Sequence, residues 1–293
     1  MPLRLRARAF LLLLLALPAH GATTVTLVGD EYLGVIMREM AGKEGSEIQS
    51  HGGVYELAVE SAGVRLRSLV DGEGVTALAD LLLASDIALI VVDATKGPTP
   101  VIREHVLIAR QARIPMMAML MGNVEGLFAG APDEAAELLA LEIREIRELL
   151  SAYDMDGNAA RVYLDSRPPD AVAGVAAYGS REALVALAHF VPRRVRTTNL
   201  GQVSNIWGAV YLLTDAEADG NAMGLAPNDS IVLWSEGTQA TATLNSVSAY
   251  HPGDFREMPL TMEAPVKGVE GSRFLLVNDD RVVGVGAITQ IVQ

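Results

Sequence analysis

From Thr23 to about Pro192 the chain alternates two kinds of apolar text, and this rhythm constrains the fold more than any other feature. Runs of strand length (VTLVG, IALIVVD, IPMMAMLM, RVYLD) are separated by longer stretches with helical spacing, GVTALADLLLAS, TPVIREHVLIARQA and DEAAELLALEIREIRELLSAY. Such alternation predicts an α/β domain over residues 22–192, a mostly parallel sheet with helices on both faces. The third helical stretch opens at Ala131-Pro132-Asp133-Glu134, which predicts a proline and two carboxylates in its first turn, where the helix dipole favours them. After Pro192 the text changes. A basic polar stretch opens a linker spanning 193–203, and residues 204–293 carry short runs rich in Val, Thr, Leu and Ile between turn signals. That spacing predicts a small all-β antiparallel barrel.

The N-terminus sets the expected compartment. Arg4, Arg6 and Arg8 precede the unbroken apolar run Ala9 to Leu17, then Pro18 and the small-residue stretch around Gly21 and Ala22. This reads as a signal peptide over residues 1–21, with an uncleaved anchor as the other reading. The apolar run is too short to span a bilayer, and no later segment is long and uncharged enough. The expected product is therefore periplasmic or secreted, with no membrane span after cleavage. Its formal charge of −13 becomes −16 without the three leader arginines. So acidic a product argues against nucleic acid as partner, because phosphate-backbone affinity comes from Lys and Arg. There is no cysteine, so stability rests on burial rather than disulfides.

After the first apolar run stands Gly29-Asp30-Glu31-Tyr32-Leu33-Gly34-Val35-Ile36. A phosphate-binding loop has the same two glycines, followed by Lys and then Ser or Thr. Here Gly29 and Gly34 are kept, but Val35 and Ile36 replace the phosphate-neutralising lysine and the magnesium-binding hydroxyl. Asp30 and Glu31 add repulsion toward a phosphate.

Residues 86–115, DIALIVVDATKGPTPVIREHVLIARQARIP, resemble the nucleotide-binding domain of bacterial elongation factor Tu. The strongest marks are Gly97-Pro98-Thr99-Pro100, Arg103-Glu104-His105 and Ala109-Arg110-Gln111. Glu142 to Glu145 and Ser151 to Asp154 are similar to the next helix, and Pro252-Gly253-Asp254, Arg273-Phe274 and Val283 to Gly286 to the last barrel of that family. The resemblance implies a P-loop GTPase-like domain joined directly to the terminal barrel, without the family's middle barrel. It also implies roles. Asp71 and Gly74 match the Asp-x-x-Gly segment that reaches magnesium and senses the terminal phosphate, but the following water-positioning histidine is Val75. For guanine recognition the chain offers Asn123 and Glu125 in neither correct register, and Ser166 stands where a backbone amide would touch the base.

At least three charge-assisted contacts are thus missing, together worth roughly 5–9 kcal/mol or about four to six decades of affinity. The expectation is a pseudo-GTPase without a catalytic residue, resident metal or cofactor, acting as an interaction module for an unidentified protein. The nucleotide-binding positions Gly29, Gly34, Asp71, Gly74, Asn123, Glu125 and Ser166 are vestigial in that reading. The alternative is a cytoplasmic GTPase that binds GTP or GDP with Mg2+ and delivers aminoacyl-tRNA; a decaying duplicate is a third reading. A calcium loop from Asp154 to Asp165 fails on its misplaced glycine, and isolated serines lack histidine and acid partners. Trp207, Trp234 and Tyr211 read as barrel core, with an exposed member pointing to a partner surface.

Overall fold

The computed structural model describes residues 22–70, 72–169, 172–189 and 199–292. Residues 1–21, expected to be a signal peptide, Asp71 and the expected linker stretch 193–198 lie outside the described residues. In chain order the first domain contains β1 (Thr23–Gly29), α1 (Leu33–Glu44), β2 (Gln49–His51), β3 (Val54–Val59), β4 (Val64–Leu69), α2 (Val75–Leu83), β5 (Ile87–Asp93), α3 (Pro100–Gln111), β6 (Met117–Gly122), α4 (Val124–Gly130), α5 (Ala135–Ala152), β7 (Arg161–Leu164), β8 (Val175–Tyr178) and α6 (Ser180–Ala188). The second contains β9 (Gly201–Leu212), β10 (Ser230–Ser235), β11 (Thr238–Leu244), β12 (Phe255–Gly268), β13 (Arg273–Asn278) and β14 (Arg281–Ile291).

The first eight strands form one mixed sheet in the order β2-β3-β4-β1-β5-β6-β7-β8. From β4 to β8 neighbouring strands are parallel, whereas β2 and β3 are antiparallel additions at one edge. Burial explains the sequence pattern. Every residue of β5 and β6 is buried, because helices cover both faces, so these strands read as continuous apolar runs. Toward the edge, β4 alternates arginine and apolar side chains. Within β5, Ala88, Ile90 and Val92 join the core beneath α2, α3 and α5. Ile87, Leu89 and Val91 face the opposite core with α1 and α6. Among the described residues no helix is long and apolar enough to cross a membrane.

One helix start differs from expectation. Pro132, Asp133 and Glu134 form a turn before α5, and its first-turn acid is Glu137. The cause is α4, which ends just upstream; the Ala131 carbonyl then accepts the amides of Glu134 and Ala135 as the chain reverses between the two helices.

The last six strands close an antiparallel barrel in the order β10-β11-β12-β9-β14-β13. Its first strand opens at Gly201, inside the stretch assigned to the linker. The barrel has its own interior around Ile206, Leu233, Leu260 and Phe274. Its outer wall shares a second core with the α/β domain, where Val75, Leu78 and Leu82 belong to one cluster with Trp234, Leu275, Val277 and Val285. Polar contacts fix the register of that seam. Gln111 Nε2 donates to the Phe274 carbonyl at 2.8 Å, Trp234 Nε1 to Asp80 at 2.8 Å and the Val282 amide to Glu104 at 2.9 Å.

Candidate functional site

The parallel strands end together at one edge of the sheet, and the strand order reverses at β1, whose neighbours are β4 and β5. Crevices at such reversals are the usual ligand sites of open α/β sheets. Gly29, Asp93, Gly122 and Asp165 therefore converge from the ends of β1, β5, β6 and β7.

Gly29 has φ of 143°, and a side chain there would run into the Val91 carbonyl, so the close approach of β1 to β5 requires glycine. The amides that follow are the donors a phosphate would need. Their partners lie within the chain. Gly29 donates to His105 Nδ1 at 3.0 Å, Tyr32 to Asp30 Oδ1 at 3.2 Å and Leu33 to the Asp30 carbonyl at 3.1 Å. Val35 and Ile36 both donate to the Tyr32 carbonyl. His105 accepts through Nδ1, which requires a neutral ring, and burial pushes its pKa down to about 4. Gly34 lies in the first turn of α1 with the Arg38 guanidinium folded over it. Ile36 is buried in the core, and Val35 is exposed on the helix surface.

The Tyr32 side chain lies directly over Gly122, where any β-carbon would collide with its ring. Its hydroxyl donates to Asp165 Oδ2 at 3.2 Å. Burial, then the Asp165 charge, push the phenol up to about 12, so it remains a donor. Asp165 also accepts the amides of Asn123 at 2.5 Å and Val124 at 3.3 Å. Asn123, at φ of 57°, sends Nδ2 to Asp93 Oδ1 at 3.0 Å and to Thr95 Oγ1 at 3.3 Å. Burial acts to raise the Asp93 carboxyl, but hydrogen bonds from Thr95 and Asn123 outweigh it and hold it below its ordinary value. The ends of β1, β5, β6 and β7 are thus laced together by their own side chains.

The remaining predicted positions stand apart from this network. Glu125 is exposed in the first turn of α4. Ser166 follows Asp165, with its hydroxyl buried and without a partner. Asp71 lies outside the described residues. Gly74 precedes α2, where the Val75 amide donates at 2.8 Å to Asp280 Oδ1, from the turn between β13 and β14. A side chain at Gly74 would strike that carboxylate, so this glycine makes room for the barrel. Asp154 and Asp165, the ends of the discarded calcium loop, lie beyond opposite ends of β7.

Beside the laced ends a cleft of about 690 Å³ remains open between the β1–α1 turn, β3, β4, Val70, Gly72 and Glu73. Asp30, Glu31 and Glu73 line it against a single arginine, Arg38, with His105 at its base. Lys96 lies 3.6 Å from Glu31 in an exposed pair. Among the described residues no group of three or more His, Cys, Asp or Glu side chains is arranged to hold a metal ion.

Tyr32, Asp93, Thr95, His105 and Asp165 are the members of the site that motif comparison did not select. Asp93 and Asp165 carry a usable signal, since Asp93 is the last residue of the buried β5 and Asp165 directly follows β7. Tyr32 carries none, because its role depends on Gly122, ninety positions away. No family model matches the chain.

Proposed function

We propose that the chain is an exported, elongation factor Tu-like pseudo-GTPase that acts as a protein-binding module without nucleotide. The observation that carries this reading is the Tyr32 ring lying over Gly122 and bonded to Asp165, which sets the chain's own side chain over the ends of β6 and β7. The residues fit a magnesium-bound nucleoside triphosphate poorly. The amides of Gly29, Tyr32, Leu33, Val35 and Ile36 already have internal acceptors, three carboxylates face the open cleft, and Val35 and Ile36 supply neither cation nor hydroxyl. The glycine that the resemblance assigns to sensing a terminal phosphate adjoins the barrel's Asp280 instead.

Partner binding has separate support on the barrel. Trp207 is 39% exposed and Phe255 is 70% exposed on the neighbouring strands β9 and β12, with Pro259 paired across from Trp207. Phe255 pairs with Tyr211, four positions along the wall from Trp207, and exposed aromatics are residue types enriched in protein interfaces.

Calorimetric titration of residues 22–293 with GDP and GTP in the presence of magnesium tests the nucleotide half of this reading. The parent protein is expected to give no binding heat, and a Tyr32→Ala, Val35→Lys, Ile36→Thr variant to gain measurable affinity. Micromolar binding by the parent would overturn the proposal in favour of a GTP-binding elongation factor that carries aminoacyl-tRNA. A mature N-terminus near Ala22 in a periplasmic fraction would exclude that alternative.

A further inference from the structure

Leu33 and Met37, four positions apart, share one face of α1. With Ile48, Tyr55, Leu69 and Leu78 they give the cleft of about 690 Å³ an apolar wall. Three carboxylates interrupt that wall: Asp30 and Glu31 from the turn between β1 and α1, and Glu73 from the stretch just before α2. Gly53, in the turn between β2 and β3, has φ of 77°, and a side chain there would occupy the space taken by the Glu73 carboxylate. That glycine seats Glu73 against the hairpin, so carboxylates stand on two sides of the cleft.

The chain matches only part of this polar set. Glu31 has Lys96 at 3.6 Å. Asp30 Oδ1 accepts the Tyr32 amide, but Asp30 Oδ2 is buried without a hydrogen-bond partner. Among the described residues, Glu73 has no cation within 4 Å, and Arg38 has no carboxylate within 4 Å. Arg38 is exposed, so solvent and salt screen its charge from the buried Asp30 oxygen. At the base of the cleft, His105 accepts the Gly29 amide through Nδ1 and therefore carries its proton on Nε2. That N–H has no acceptor among the described residues. Burial keeps the ring neutral, so His105 offers a donor without adding positive charge. A buried acceptor oxygen, a second carboxylate and a neutral donor are thus left beside an apolar wall.

We infer that this cleft binds a small amphipathic amine, with its ammonium on Asp30 and Glu73, a neighbouring hydroxyl oxygen on His105 Nε2–H and its apolar body along α1. A charge-assisted hydrogen bond to the ammonium satisfies the buried Asp30 oxygen, the group that costs most when left without a partner. The volume lies within the range of small-molecule sites, and an apolar lining with a few polar groups is their usual composition. The formal charge of −13 draws cations toward the protein as a whole. The inference goes beyond the pseudo-GTPase reading and rests on it in one respect, that no nucleotide occupies the cleft.

The test titrates the purified protein calorimetrically with phenylethanolamine, alongside phenethylamine, which lacks the hydroxyl, and styrene glycol, which lacks the ammonium. One-to-one saturable binding of phenylethanolamine is expected, about threefold weaker without the hydroxyl and lost without the ammonium. Asp30→Asn, which keeps an acceptor for the Tyr32 amide, and Glu73→Gln are each expected to weaken binding about tenfold, the effect of one charge-assisted contact. Arg38→Gln is expected to tighten it about twofold, a gain that misfolding does not produce. Absence of saturable binding by both amines would overturn the inference, as would the glycol binding as tightly as the amines. Unchanged affinity in the Asp30→Asn, Glu73→Gln double variant, or weaker binding by a folded Arg38→Gln variant, would overturn it too. A parallel titration with GDP and magnesium separates the two readings: silence there together with silence from the amines defeats this inference alone, whereas GDP that binds and displaces the amine defeats the pseudo-GTPase reading and leaves the amine site standing.

Discussion

At the carboxyl edge of the sheet the carboxylates drawn into the crevice meet donors from their own chain: Asp165 takes two amides and a phenol, and Asp93 takes Thr95 and Asn123. At the opposite, amino edge, guanidinium groups meet main-chain carbonyls, and Arg110 and Arg113 also face the carboxylates of Asp154 and Glu236. The two regions share a sheet and differ in what surrounds their charges: donors converge on buried carboxylates at one edge, and carbonyls and carboxylates meet guanidinium groups at the other. A concave site whose polar groups already satisfy each other gains little from a ligand, because binding only exchanges one set of hydrogen bonds for another.

If this contrast is right, damage at the carboxyl edge costs more stability than damage at the amino edge. The largest effect is expected from Asp165→Ala, which strands two amides and the Tyr32 hydroxyl and should lower unfolding free energy by about 3–5 kcal/mol in urea titration. Next comes acid. His105 titrates near 6.5 when unfolded and at about 4 when folded. Its contribution is full above pH 6.5 and is lost as pH falls toward 4, at most about 3 kcal/mol. Glu142 acts in the opposite direction. Burial, then Glu145 and Asp93, raise its pKa to about 7, so its stabilising protonated form is lost as pH rises from the ordinary value of 4.5 through 7. Partial exposure reduces that effect to about 1–2 kcal/mol. The two slopes oppose each other between pH 4.5 and 6.5, and Glu142→Gln should therefore steepen the acid loss measured by thermal melts.

Tyr32→Phe removes one hydrogen bond while keeping the ring over Gly122, and about 1 kcal/mol is expected from denaturant titration. The smallest effect belongs to the amino edge. Arg161→Gln should change stability by less than about 0.5 kcal/mol, since its residue is exposed. A loss comparable to that of Asp165→Ala would remove the distinction between the two regions.

Much of the fold was legible because it depends on local period. The fully buried β5 and β6 are unbroken apolar runs, the barrel strands carry β-branched residues between turns, and both faces of the sheet follow from alternation along β5. The glycines of the candidate site were legible for a similar reason, since Gly29 meets a steric demand set by neighbouring backbone. That Val35 and Ile36 supply neither a cation nor a hydroxyl also needed only their side-chain types. What was not legible depends on convergence. Tyr32 meets Gly122, Gly74 meets Asp280, and Arg110 meets Arg273, pairs whose separations carry no periodic signal. The short α4 escaped for a different reason: its sequence, VEGLFAG, contains two glycines and ends in a turn, so only the burial of Val124, Leu127 and Phe128 holds it in helical form.

The Asp280 contact with the first amide of α2 has a kinetic consequence. An N-terminal amide of a helix ordinarily exchanges its hydrogen quickly, because fraying exposes it without disturbing anything else. The acceptor of the Val75 amide belongs to a turn 205 residues further along the chain, so fraying here requires the barrel to lift away. Deuterium uptake at Val75 should therefore follow uptake at Val282, whose amide is held by Glu104 across the same seam, and the two would report the opening rate of the whole interface.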